Sequence, residues 1–173
     1  MKRTMALLAL LALPFAAWAE NRDQLVKQYS DFAGSDANSR SLVDGLRDGK
    51  EVKLSDGKTT TTFTPATGKM GNGNIDIALS LAQQKLRQQG ITNPTSEQLK
   101  AALMGDATNP GILQQRADGR GWGQIANSMG MKLGDVMRSE KAERMARAER
   151  RERPEKPEKP ERPERPEKPE RGR

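Results

Sequence analysis

The apolar positions of the chain change period several times, and each change marks an expected element. Leu25, Val26, Tyr29 and Phe32 fall at i, i+1, i+4 and i+7. That is one face of a helix, with Gly34 placed to end it. A second short helix is expected from Ser39 to Asp48, with Leu42, Val43 and Leu46 inward and Gly49 as its stop. The period then shortens to two. Val52-Lys53-Leu54-Ser55, Asp56-Gly57 and Lys58 through Phe63 read as a β-hairpin turning on Asp-Gly, a pair that accepts the positive φ of a tight turn. Pro65 and Gly68 close it. A lone two-stranded hairpin is only marginally stable in water, so this one must lean on the helices.

Helical spacing returns with Ile75, Ala78, Leu79, Ala82 and Leu86, a stripe over Asn74 to Gln89 that Gly90 terminates. Thr95-Ser96-Glu97-Gln98 has the form of a capping box and opens a helix through Leu99, Ala102 and Leu103 to Gly105. Asn109-Pro110-Gly111 punctuates again, and a short helix with Ile112, Leu113 and Ala117 runs to Gly119. After Gly134 the chain is rich in Ala, Glu and Arg. Val136, Met137 and Met145 are its last large apolar residues. A helix is expected to about Arg151, mainly solvated in its second half. The predicted fold is mainly α: a small bundle of short helices with one β-hairpin, then a long charged helix and a disordered Pro-rich tail.

Both ends depart from this pattern. Lys2 and Arg3 precede an apolar run from Met5 to Ala17, and Ala17-Trp18-Ala19 follows as small residues flanking a large one. This is the three-part form of a secretory signal. The run is shorter than the roughly 20 apolar residues a membrane span needs. Cleavage is expected after Ala19, with Ala17 and Ala19 in the small pockets of the peptidase and Glu20 as the new N-terminus. No later stretch is apolar enough to span a bilayer, so a periplasmic or secreted location is expected. At the other end, six [Lys/Arg]-Pro-Glu triplets run from Arg153 to Glu170. Proline at every third position excludes helix and sheet and favours polyproline II. The expected organisation is a signal peptide over 1–19, a helical domain over 20–137 with its hairpin near 51–64, a charged helix over 138–152 and the repeat tail over 153–173.

Composition narrows the chemistry. The chain has no cysteine and no histidine. Disulfides, His/Cys metal centres, thiol catalysis and a Ser-His-Asp triad are therefore excluded. No metal site, cofactor or catalytic residue is assigned. Beyond residue 19 the aromatic residues are Tyr29, Phe32, Phe63 and Trp122, so the core must be small and aliphatic. From Glu20 to Met137 there are 14 Lys and Arg against 13 Asp and Glu, whereas from Arg138 onward there are 14 against 10. The net charge of +7 is thus largely a property of the tail. A nearly neutral domain speaks against nucleic acid, which calls for a basic face on the domain itself.

One pattern occurs twice. Gly71-x-Gly73-x-x-x-Ile77-Ala78-x-Ser80-Leu81 matches Gly119-x-Gly121-x-x-x-Ile125-Ala126-x-Ser128-Met129 at an offset of 48. It reads as a Gly-rich turn feeding a helix with a closely packed Ile-Ala pair. A phosphate-cradling turn would need a preceding strand, which neither copy has. Asn72-Gly73-Asn74-Ile75-Asp76 lacks the glycine and the closing glutamate of a calcium loop, and that reading is rejected. In the second copy Ala126, Gly130 and Val136 have helix-turn-helix spacing. Its second helix would begin Leu133-Gly134-Asp135, without base-reading side chains, so a packing role is expected.

Gly121-Trp122-Gly123-Gln124-Ile125-Ala126, with Gly130 and Leu133-Gly134-Asp135-Val136, resembles a group of uncharacterised exported bacterial proteins. They share this GWGxIA segment, an upstream Gly-x-Gly helix start and often a charged low-complexity C-terminus. The resemblance covers about Phe32 to Val136 and implies an envelope or secreted location, with no ligand or activity. Gly121, Trp122, Gly123, Ile125, Ala126 and Gly130 are the candidate structural or interface residues. The expected role is a non-enzymatic envelope interaction module whose partner is an anionic envelope polymer or an envelope protein. The alternatives are a nucleic-acid-binding helix-turn-helix and a small cell-wall-active enzyme using paired carboxylates.

Overall fold

A computed structural model describes residues 15–152, with side chains for residues 21–150. The Lys2–Arg3 start and most of the apolar run, and the whole repeat tail over 153–173, lie outside the described residues. Among these residues the chain forms seven helices and one hairpin, so the mainly α expectation holds. Helix α1 (Phe15–Ala33) and helix α2 (Asp36–Asp48) form an antiparallel pair, followed by β1 (Val52–Ser55) and β2 (Thr60–Phe63). Helix α3 (Asn72–Gln88) runs through the middle of the molecule and touches α1, α2, α4, α5 and α7. These last are α4 (Ser96–Met104), α5 (Ile112–Ala117) and α7 (Leu133–Glu152), with α6 (Trp122–Ser128) between α5 and α7. None of the described helices is long and apolar enough to cross a membrane.

The helix boundaries follow local chemistry. Ser35 caps α2 through its side chain, and its hydroxyl accepts from Asn38 N. Thr95 and Gln98 form the predicted capping box on α4, each side chain bonding the other's backbone N–H. The stripe on α3 is inward as expected: Ile75, Ala78, Leu79 and Ala82 are completely buried. They meet Val26 and Tyr29 of α1, Leu42 and Leu46 of α2, and Leu99 and Leu103 of α4 in one continuous core. On α5, Ile112 and Leu113 are completely buried and Ala117 is exposed.

The hairpin pairs Val52 with Phe63 and Ser55 with Thr60, antiparallel. Its turn differs from the predicted Asp56-Gly57 pair. Lys58 and Thr59 are outside the strand, and the turn centres on Gly57 and Lys58, with Gly57 at φ 87°. The reason is the Asp56 carboxylate, which accepts from Lys58 N (3.0 Å) and Thr59 N (2.8 Å) and folds the loop over itself. The hairpin leans on helices at both sides. Asn38 of α2 brackets Ser55, donating to its carbonyl and accepting from its N–H, both at 2.8 Å. Ser41 accepts from Lys53 N, so the outer edge of β1 is sealed by side chains. Thr61 of β2 donates to Glu97 of α4.

Candidate functional site

The tryptophan motif forms the start of α6. Gly121 is the N-cap, and Gln124 reaches back to accept from its N–H at 2.9 Å. Ile125 and Ala126 are completely buried, which accounts for the Ile-Ala pair as core. Gly130, at φ 72°, makes the turn into α7, a backbone shape that a β-carbon disfavours. Gly123 is exposed, and a β-carbon there would meet nothing within 4 Å, so no close contact requires it.

Trp122 is half-buried, one face against the core cluster. The Arg116 guanidinium lies 5.1 Å from its ring centroid. Its indole N–H donates to Asn74 Oδ1 at 3.0 Å. Asn74 and Trp122 occupy the same position in the two copies of the repeated pattern, 48 residues apart. The copies meet, yet they do not fold alike. In the first, Gly71 caps α3. In the second, Gly119 turns at φ 85° and the helix begins two residues later, behind Gly121. Trp122 is thus a lid on the rim of the core, not a plug in its centre.

Residues to which the sequence assigned no joint role build a polar seam where α7 meets α3 and α1. Asp76 Oδ1 accepts from Tyr29 OH (2.6 Å), Gln28 Nε2 (2.7 Å) and Arg144 Nη2 (3.0 Å). Tyr29 is completely buried, and its hydroxyl also lies 2.9 Å from Ser80 Oγ. Burial, and then the neighbouring Asp76 charge, push the Tyr29 hydroxyl well above its ordinary pKa, so it stays neutral, donating to Asp76 and accepting from Ser80. Farther along, Arg87 donates to Glu143 with two nitrogens at 2.6 Å each and to Glu140 at 3.2 Å. Gln83 satisfies both neighbours when its nitrogen faces Glu140 and its oxygen faces Arg87. Arg147 reaches Asp31 at 3.3 Å. Burial raises the Glu140 pKa, opposed by the Arg87 charge.

This seam gathers Glu140 and Glu143, two carboxylates that both face Arg87. Both are committed to Arg87, and Asp76 already accepts three hydrogen bonds. The seam's evident chemistry is attachment of a helix. Among the described residues no group of three or more acidic side chains is disposed to hold a metal ion. The predicted cleavage position, Ala17 to Glu20, falls in the first turns of α1, and its side chains lie outside the described residues.

A second polar surface adjoins the motif. The C-terminal turn of α3, the loop before α5, the Arg120 linker and the end of α6 enclose a cleft of about 310 Å³. Its floor is Gln115, 4% exposed, whose Oε1 accepts from Arg120 and from Ser128 Oγ (3.2 Å). Its Nε2 is 3.4 Å from the Pro110 carbonyl. No family model, no curated protein and no solved structure matches the chain.

Proposed function

We propose that the protein is an exported, non-enzymatic interaction module of the bacterial envelope, a small helical body that holds out a charged arm toward an anionic envelope polymer or an envelope protein. The single observation that carries this reading is the way α7 is held. Its anchors run as far as Arg147, through Val136, Glu140, Glu143 and Arg144. Beyond Arg147 it is exposed to Arg150, leading toward the [Lys/Arg]-Pro-Glu repeat. A body clamped to the base of a charged helix suits presentation of that segment. The nucleic-acid alternative would use α6, the Gly130 turn and α7. It gains no support from α7, which turns Val136, Glu140 and Arg144 into the body and begins with Asp135 paired to Arg138.

The test has two parts. Mature protein recovered from the native envelope fraction is expected to begin at Glu20. Full-length mature protein is expected to sediment with purified cell wall at low salt, and a chain ending at residue 152 is expected to lose a salt-sensitive part of that association. An intact Met1 on the functional product, or no sedimentation at any salt, overturns the reading.

A further inference from the structure

We infer that the cleft between the ends of α3 and α6 is a binding site for a saccharide bearing a carboxylate. This deepens the envelope reading, on which it rests only for the source of the ligand. The argument begins with the side chains that face the cleft. Lys85, Gln88 and Gln89 come from the last turn of α3, Asn109 from the loop, Gln115 from α5 and Arg120 from the linker. Two cations, four amides and the Ser128 hydroxyl line it, and no carboxylate does. Among the described residues, Lys85, Gln88 and Gln89 have no hydrogen bond or ion pair to another side chain, so their donors and acceptors are uncommitted.

The walls are set in advance. Gln115 ties Pro110, Arg120 and Ser128 together from below. The loop carrying Asn109 is fixed by Asp106, which accepts from Thr108 N and Asn109 N at 2.8 Å each. The loop is tied to the end of α4 by a bridge between Gly105 and Pro110 and by Asp106 N donating to the Asn109 carbonyl at 3.0 Å, and Gly111 lies so close to Met104 that a β-carbon would stand 2.1 Å from its carbonyl carbon. A preformed cleft spends little binding energy on ordering its own groups. Its volume is at the lower end for small-molecule sites, room for one or two rings of a saccharide whose remaining rings lie outside it.

The arrangement also selects among anions. Amides both donate and accept, which matches vicinal sugar hydroxyls. Lys85 and the free edge of the Arg120 guanidinium match an acid group. The carboxyl-terminal turns of α3 and α6 both border the cleft, and a helix end of that polarity repels a bare anion. Ring hydroxyls are needed to satisfy the acceptors before the cations can hold the acid.

Calorimetric titration of the full chain with trigalacturonate, with its neutral methyl ester and with inorganic phosphate tests the site. Trigalacturonate is expected to bind at least about tenfold more tightly than either comparator, a difference that one charge-assisted contact can supply. Lys85→Gln, a substitution that breaks no contact of the fold, is expected to remove most of that preference at unchanged melting temperature. Equal binding of the ester or of phosphate, no binding of trigalacturonate, or binding untouched by Lys85→Gln overturns the inference. Wall sedimentation separates the two proposals. Trigalacturonate binding untouched by Lys85→Gln, with wild-type sedimentation, defeats the cleft and leaves the envelope role standing, whereas Lys85-dependent uronate binding without sedimentation does the reverse.

Discussion

Helices α1 and α7 both lie against α3, and they are held there by different physics. α1 presents Leu25, Val26, Tyr29, Phe32 and Ala33, all buried, and the buried Tyr29 hydroxyl is satisfied by Asp76 and Ser80. Each fully buried large apolar side chain stabilises by about 1.5–3 kcal/mol. α7 buries Val136 and little else of that kind, while Met145 remains 65% exposed. Its hold on α3 comes from Arg87, Glu140, Glu143, Arg144 and Asp76. An apolar attachment is indifferent to salt and pH. An attachment made of partly buried ions responds to both, and it comes apart when a single partner is removed. The attachment of α1 is therefore insensitive to ionic conditions, whereas that of α7 depends on them.

The largest expected effect tests the apolar side. Phe32→Ala removes an α1 anchor whose ring meets Tyr29 edge-on at 6.4 Å between centroids. It should cost about 3–5 kcal/mol by denaturant unfolding. The loss should be the same at low salt and at about 1 M, where charges are screened within roughly 3 Å. A loss that changes with salt would show that α1 depends on the ionic seam after all.

Arg87→Met comes next. It leaves Glu140, 4% exposed, without its cation. An unsatisfied buried group costs about 1–3 kcal/mol. Hydrogen exchange should locate the damage, with amides of α7 losing protection and those of α1 keeping theirs. Equal loss in both helices would mean that α7 is integral to the core.

A smaller effect concerns pH. Burial raises the Glu140 pKa above its ordinary 4.5, with Arg87 and Gln83 of α3 and Glu143, Arg144 and Arg147 of α7 as its polar neighbours. The folded state therefore holds this proton more tightly than the unfolded one. The stability it contributes is full below 4.5 and is lost as pH rises through the folded value. Glu140→Gln keeps the side chain neutral, so the variant should melt at or above wild type near pH 7. Its advantage should vanish below about pH 4.5. Asp106, held down to about 2 by bonds from Thr108 and Asn109, loses its contribution as pH falls, but equally in both chains. A variant less stable than wild type near pH 7 would show that the ion pair with Arg87 outweighs burial.

The smallest effect is an expected zero. Deleting residues 153–173 should leave the melting temperature unchanged, since the anchors of α7 end at Arg147. A fall would show that the repeat packs on the body.

The body was legible residue by residue because its signals are local. The Thr95–Gln98 box, the stripe of Ile75, Ala78, Leu79 and Ala82, and the alternation of Val52 and Leu54 each depend on neighbours a few positions away. Ile125 and Ala126 were readable as a packed pair for the same reason. The hairpin turn was misread by one residue, because Asp56 uses its side chain to bond ahead to Lys58 and Thr59. The repeat was visible as letters, but identical spacing did not yield identical helix starts, since the preceding helix α5 forces Gly119 into a turn that Gly71 does not need.

What the sequence alone determined is the succession of elements, the apolar faces and the chemistry excluded by lacking histidine and cysteine. What only the tertiary structure decided is the use of the charges. Glu140 and Arg144 look like a solvated helix face, and Lys85, Gln115 and Arg120 like unrelated surface residues. The partners of Glu140 and Arg144 lie 53 and 68 residues away, Arg87 and Asp76. A charge has no preferred burial of its own, because exposure suits it unless a counter-charge is waiting. Whether one waits depends on how distant helices pack, which no local pattern encodes.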